Sequence, residues 1–217
     1  MAVLLLNECH AACQTEPMNR HAIPDIEIRT RLAERGLECH LLIAKTPIRE
    51  FPPLLCAELH DLLLAIYGRS VTPEHFLYET WAVTISPPSG PPVACSTLSF
   101  CSDLPSYFTT RFEGVHPTLQ RQGLGRLLYD CLAVWTRFLV FNDPLVANGV
   151  LQSDGGYFLV SCIDAPEDED SPDNEHGHGA FLRKLGFIRA QHDFQQTDEE
   201  IAFQRPYRVP IEAADYF

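Results

Sequence analysis

The sequence predicts one α/β domain, a mixed sheet with helices on both faces. Three observations predict it. The apolar patterns along the 217 residues run strand, helix, three strands, helix, strand, helix, two strands, and that alternation puts helices over both sides of a sheet. The segment GYFLVSCIDA (156–165) is apolar at consecutive positions, as in a strand covered on both faces. From Gly123 to Asn142, Leu127, Leu128, Cys131, Leu132, Val134, Trp135 and Phe138 recur at the period of an amphipathic helix. The length suffices for one large core.

Each element follows from its residues. Residues 1–22 show no period and read as an N-terminal arm, ahead of a domain spanning 23–217. Ile23 to Arg35 suits either a strand or a short helix. ECHLLIAK (38–45) is a short apolar run, hence a strand. Pro47 opens a stretch where Leu55, Leu59, Leu62, Leu63 and Ile66 fall at helical spacing, and Gly68 ends it. YETWAVTIS (78–86) and VACSTLSF (93–100) are rich in β-branched and aromatic residues and flank PPSGPP, which predicts a hairpin with a stiff turn. YFTTRFEGV (107–115) completes the meander and Pro117 stops it. Near the C-terminus, His178 to Leu185 reads as a short helix ended by Gly186. FIRAQHDFQ and IAFQRPYRV read as two closing strands, with Pro206 placing the last at an edge or a bulge.

Composition narrows the function classes. A net charge of −13, with 46% hydrophobic and 21% charged residues, is that of a soluble globular chain. It argues against nucleic acid as a partner and is compatible with a cationic substrate. No apolar stretch approaches the roughly 20 residues of a membrane span. The short apolar run in MAVLLLNECH has no basic residue before it, unlike a signal peptide. The eight cysteines include no C-x-x-C pair, which fits free thiols in a reducing, cytoplasmic compartment. Glu-Cys-His occurs at 8–10 and 38–40, but neighbouring strand residues face opposite ways, so no metal site is expected.

The glycine pair Gly123 and Gly125, in VHPTLQRQGLGRLL, separates strand from helix. A dinucleotide fingerprint requires a third glycine where Leu128 stands, and an ATP-type loop requires a lysine that neither glycine precedes. Q/R-x-x-G-x-G/A is present in full as Gln120-Arg121-Gln122-Gly123-Leu124-Gly125. Unpaired N–H groups at a helix start carry partial positive charge and can donate to a pyrophosphate. Glycines let the backbone come close, and Arg121 and Arg126 can add charge-assisted bonds.

With AFLRKLGF (180–187) downstream, this stretch resembles the two signatures of the GNAT N-acetyltransferase superfamily. The second is F-Y-x-x-x-G-F, matched at Phe181, Gly186 and Phe187. The resemblance spans about residues 38 to 209. It implies a mixed, mostly antiparallel central sheet flanked by helices on both faces, with the strand before the loop splaying from that at 156–165. It also implies acetyl-CoA as acyl donor. Gln120, Arg121, Gln122, Gly123, Leu124, Gly125 and Arg126 would hold its pyrophosphate, while backbone groups at Gly114 and Val115 would meet the pantetheine arm and the thioester carbonyl. The implied activity moves an acetyl group to a primary amine, on a small molecule or a basic peptide, by direct attack. The protein would act as a monomer or homodimer, away from membranes and nucleic acid.

Leu182 stands where the family's proton-donating Tyr is usual. Two residues are candidates for proton transfer instead. Glu113 lies two positions before Val115, on the strand beside the expected thioester, and His178 lies about one turn before Phe181. The run DAPEDEDSPDNE (164–175) carries seven acidic and no basic residues; it reads as a solvated loop, or as a recruiter of cations to the cleft. The alternative to an enzyme is a non-catalytic acyl-CoA-binding regulatory module, which would bind CoA without amine-dependent turnover.

Overall fold

A computed structural model describes residues 19–43, 51–68, 80–164, 177–190 and 200–209 of the chain. Most of the N-terminal arm (1–18), the predicted helix start at Pro47, the acidic run beyond Asp164 and the latter part of FIRAQHDFQ lie outside the described residues.

Among the described residues, eight strands form one sheet. They are β1 (Asn19–Ala22), β2 (Glu38–Ile43), β3 (Trp81–Ser86), β4 (Ala94–Cys101), β5 (Tyr107–Val115), β6 (Gly156–Asp164), β7 (Ile188–Arg189) and β8 (Glu200–Arg208), in spatial order β1-β2-β3-β4-β5-β6-β8-β7. Of the described pairings, β5 with β6 is parallel and the rest are antiparallel. The sheet is therefore mixed and mostly antiparallel. The helices are α1 (Ile26–Ala33), α2 (Phe51–Tyr67), α3 (Leu124–Asn142), α4 (Pro144–Gln152) and α5 (His178–Lys184).

Strand alternation divides the core into two layers. Leu41, Trp81, Val83, Ile85, Phe108 and Leu159 face one side, where Ile28 and Leu32 of α1, the apolar stripe of α3, Val146 and Val150 of α4 and Leu182 of α5 cover them. Leu42, Ala82 and Cys95 face the other side, beneath Leu59, Leu62 and Leu63 of α2. Cys39 shows the alternation directly. It is buried under Trp135, whose Nε1 donates to its Sγ at 3.4 Å, so it does not share a face with His40. Among the described residues, Cys39, Cys95, Cys101, Cys131 and Cys162 form no disulfide.

The structure departs from the expectations at three places and decides between the two alternatives at a fourth. The end of the predicted arm, Asn19–Ala22, is strand β1 paired with β2; four mostly polar residues at a sheet edge give no period-2 signal. Ile23–Arg35 resolves as helix α1, capped by Asp25, whose carboxylate accepts from the Ile28 N–H. Helix α4 was not anticipated, although its start carries a legible cue. Asp143 accepts from the N–H groups of Leu145 and Val146, and Pro144 occupies the first helical position. Strand β8 lies inside the sheet, with β7 beside it at Phe203 and Gln204. Pro206 is tolerated because it sits past β7's reach, with its nitrogen turned from β6: the opposing Phe158 spends its own N–H on Ser106.

Candidate functional site: a cleft between two parting strands

The site begins where β5 and β6 separate. Their pairing runs from Tyr107↔Phe158 to Thr110↔Ser161 and stops, while β5 continues to Val115 and β6 to Asp164. On its other side, β5 pairs with β4 through Thr97↔Arg111 and then Cys95↔Gly114. Phe112 and Glu113 therefore both oppose Ser96, forming a bulge in which Phe112 has φ +28°.

The bulge sets where Glu113 points. In unbroken alternation, Phe112 would share a face with Phe108 and Thr110, and Glu113 would turn to the α2 side. The extra residue reverses this. Phe112 packs in the α2 layer, and Glu113 reaches Ser161 beneath α3. The end of α2 supports the distortion: Tyr67 Oη donates to the Glu113 carbonyl at 3.1 Å. Ile66 lies 3.0 Å from where a Cβ on Gly114 would be, so a side chain there would need Ile66 to give way by a few tenths of an ångström.

Glu113 and His178, far apart in sequence, meet here. The Glu113 side chain is 7% exposed, and its Oε1 lies 3.3 Å from His178 Nε2. Ser161 Oγ donates to the same oxygen at 2.5 Å, and Tyr129 Oη donates to Ser161 Oγ at 3.1 Å. Tyr129 Oη also lies 3.5 Å from His178 Nε2. Glu113 Oε2 is shielded from solvent with no partner among the described residues. Burial, reinforced by the Glu113 carboxylate, holds the Tyr129 phenol well above its ordinary value, so Tyr129 stays protonated and acts as a donor. Burial and the same carboxylate push the Cys95 thiol up, leaving it neutral. His178 is 40% exposed on its outer side and connects this buried group to solvent.

The loop follows β5 directly. The His116 N–H donates to Val93 O at 2.8 Å, and its Nδ1 accepts from the Thr118 N–H across a turn at Pro117–Leu119. Gln120 Nε2 donates back to Val115 O at 3.2 Å. Arg121 at φ +60° and Gly123 at φ +81° swing the chain into α3. Gly123 is the N-cap and brings no side chain to it, so the first-turn N–H groups of Leu124, Gly125 and Arg126 have no intrahelical acceptor. A Cβ on Gly125 would sit 3.2 Å from Phe181 Cζ. Gln120, Arg121, Gln122 and Arg126 are exposed and Leu124 is buried. Arg35, from the turn after α1, donates to Gln122 O at 2.8 Å and secures the loop from across the chain.

Leu182 lies in the core, fully buried. A phenol at this position would meet the packing under α3, not the cleft. Leu182→Tyr is therefore expected to destabilise the protein by about 1–3 kcal/mol through overpacking, seen in its urea midpoint, without raising turnover. Increased turnover would mean that the ring reaches the cleft.

Sequence reasoning passed over Tyr129 and Ser161. Both left a trace. Tyr129 is four residues after Gly125 and so lies on the same side of α3, and Ser161 is a hydroxyl inside a strand otherwise apolar enough to be buried. Among the described residues, no group of three His, Cys, Asp or Glu is arranged to hold a metal ion, and no helix is long and apolar enough to cross a membrane.

No protein-family model matches the chain, and no curated protein matches it. Solved structures similar to it include the ribosomal-protein-S18-alanine N-acetyltransferase of Escherichia coli, at 15% identity and a TM-score of 0.42, over 79% of this chain and 94% of that one. NAA60 of Arabidopsis thaliana, solved with a bisubstrate analogue, is 12% identical with a TM-score of 0.44, over 70% of this chain and 92% of that one. An acetyltransferase of Thermus thermophilus is 18% identical with a TM-score of 0.43, over 77% of this chain and 97% of that one. Likenesses this distant leave the chemistry to be read from the chain's own residues.

Proposed function

We propose that this chain is an acyltransferase that moves an acetyl group from acetyl-CoA to a primary amine, on a small amine, a polyamine or a basic peptide. The observation that carries this reading is the buried Glu113 carboxylate in the parting of β5 and β6, directly followed by Gly114 and Val115 and close to a glycine loop that opens a long helix.

The residues present fit the donor. Gly123 leaves the helix start uncapped, and Gly125 keeps open a space that a side chain would fill. Gln120, Arg121, Gln122, Gly123, Leu124, Gly125 and Arg126 would hold the pyrophosphate through first-turn N–H groups and two guanidiniums. Gly114 and Val115 would offer backbone groups to the pantetheine arm and the thioester carbonyl. Acetyl-CoA supplies an activated thioester carbonyl to the amine.

The rest is the chain's own work. An amine enters as an ammonium and must lose a proton before its lone pair attacks. Glu113 takes that proton, directly or through one water. His178, 3.3 Å from Oε1 and half open to solvent, passes it outward. Holding both substrates in one cleft contributes much of the acceleration. Leu182 has no proton to give, so the departing thiolate takes its proton from water. The net negative charge favours a cationic acceptor.

The test is free-thiol release from acetyl-CoA against a panel of polyamines, arylalkylamines, aminoglycosides and a basic peptide, with CoA binding by calorimetry on the same sample. Amine-dependent release is the expected result. CoA binding without release would indicate the regulatory module instead.

A further inference from the structure

The two oxygens of Glu113 are treated differently, and the difference is built by residues on other elements. Oε1 is enclosed by Ser161 Oγ and His178 Nε2, whereas Oε2 has no partner among the described residues. Behind Oε1 the hydroxyls run in one direction. The single proton of Ser161 goes to the carboxylate, so its oxygen accepts from Tyr129. The Tyr129 ring is fixed edge-on against Phe181 and Phe187. Ser161 is fully buried and gives its proton to a carboxylate, not a histidine, which does not suit a nucleophile.

These positions address a problem the splayed strands create. Past Thr110↔Ser161, β5 has no neighbour in β6, so backbone pairing on that side no longer restrains the Glu113 side chain. Water would solvate an unrestrained carboxylate readily. A polarised hydroxyl behind Oε1 holds it inward instead, since hydrogen bonds to a charged acceptor are the strong ones.

We infer that Ser161 and Tyr129 are positioning residues: a one-way hydroxyl relay from α3 through β6 that clamps Glu113 at Oε1 and fixes the orientation of its carboxylate. The inference rests on the reading of Glu113 as the base and extends it to two residues that touch neither substrate.

The experiment is a pair of double-mutant cycles on the full chain. Kinetics use acetyl-CoA with the panel amine of highest turnover. Ser161→Ala and Tyr129→Phe are each expected to lower kcat ~10-fold, the scale of one charge-assisted hydrogen bond, with KM for acetyl-CoA unchanged. Tyr129→Phe keeps the ring and its packing, and in a Ser161→Ala background it should lower kcat no further. Urea unfolding gives the second cycle. Tyr129→Phe should lower the midpoint less in Ser161→Ala than in the wild-type chain. Independent effects in the unfolding cycle would overturn the relay, as would KM rising in place of kcat falling. If no amine supports thiol release, the unfolding cycle decides alone. Coupling there would sustain the relay while the acyltransfer reading falls, and additivity would overturn the relay.

Discussion

Glu113→Gln is expected to lower kcat by ~10²–10⁴-fold, the usual worth of a general base, while CoA affinity stays unchanged and thermal stability holds or rises. The two halves of this expectation share one cause. The carboxylate is 7% exposed and carries a buried oxygen without a partner among the described residues. Burying charge is costly unless every oxygen is satisfied, so a neutral amide of the same shape relieves that cost. The amide keeps an oxygen for Ser161 but cannot accept a proton. A Glu serving only as a structural acceptor would give the opposite pattern, with stability falling and turnover persisting. Steady-state kinetics, CoA calorimetry and thermal unfolding on one preparation separate the two. Unchanged turnover would remove Glu113 from the chemistry.

The second large effect is expected at the loop. Gly125→Val is expected to weaken CoA binding ~10²-fold while the fold survives. Gly125 lies in the first turn of α3, and a Cβ there would already stand 3.2 Å from the Phe181 ring edge. That ring edge is the end of a side chain and can yield, so folding tolerates the change. The proposed pyrophosphate contact would not survive, because two further methyls would stand between that group and the first-turn N–H groups. Losing one or two charge-assisted bonds at ~1.5–3 kcal/mol each gives a loss of that size. Gly123 differs. No described atom lies nearer than 3.6 Å to its would-be Cβ, and the constraint is its φ of +81°. Gly123→Ala should therefore cost stability, about 1–2 kcal/mol, and weaken CoA binding only as far as the loop shifts. Calorimetric titration of CoA into each variant reads the difference. Unchanged affinity in Gly125→Val would refute the pyrophosphate assignment.

Much of this was legible in the residues themselves. The glycine loop could be placed at a helix start because Gly123 and Gly125 follow a proline-ended strand and precede a seven-residue apolar stripe, and every part of that signal is local. Strand and helix periods along 38–142 are equally local, since alternation and 3.6-residue spacing are properties of consecutive residues. Where local patterns were weak, reading was weak. Edge strand β1 has no apolar face, and α4 has an interior Asn-Gly that masked the Asp143–Pro144 start.

The candidate catalytic group stood between these cases. Glu113 and His178 were each identifiable as proton-transfer residues by type and place, but their 3.3 Å approach depends on how α5 docks on α3. Ser161 and Tyr129 offered no functional signature, because a buried hydroxyl in a strand and a tyrosine on a helix are ordinary core residues until their partners are known. Leu182 shows the same limit in reverse: its identity was a sequence fact, but its burial in the core is a packing fact.

The sequence by itself determined the α/β pattern, the uncapped helix start after β5 and the presence of a carboxylate near it. Only the tertiary structure decided which way that carboxylate faces. Regular alternation from Phe108 would send Glu113 to the α2 side; the bulge at Phe112, opposed by a single residue of β4, sends it to the cleft. The physical reason is that side-chain parity along a strand is absolute. One extra residue reverses it, and whether that residue is present depends on the pairing between β4 and β5, which no local pattern in β5 records.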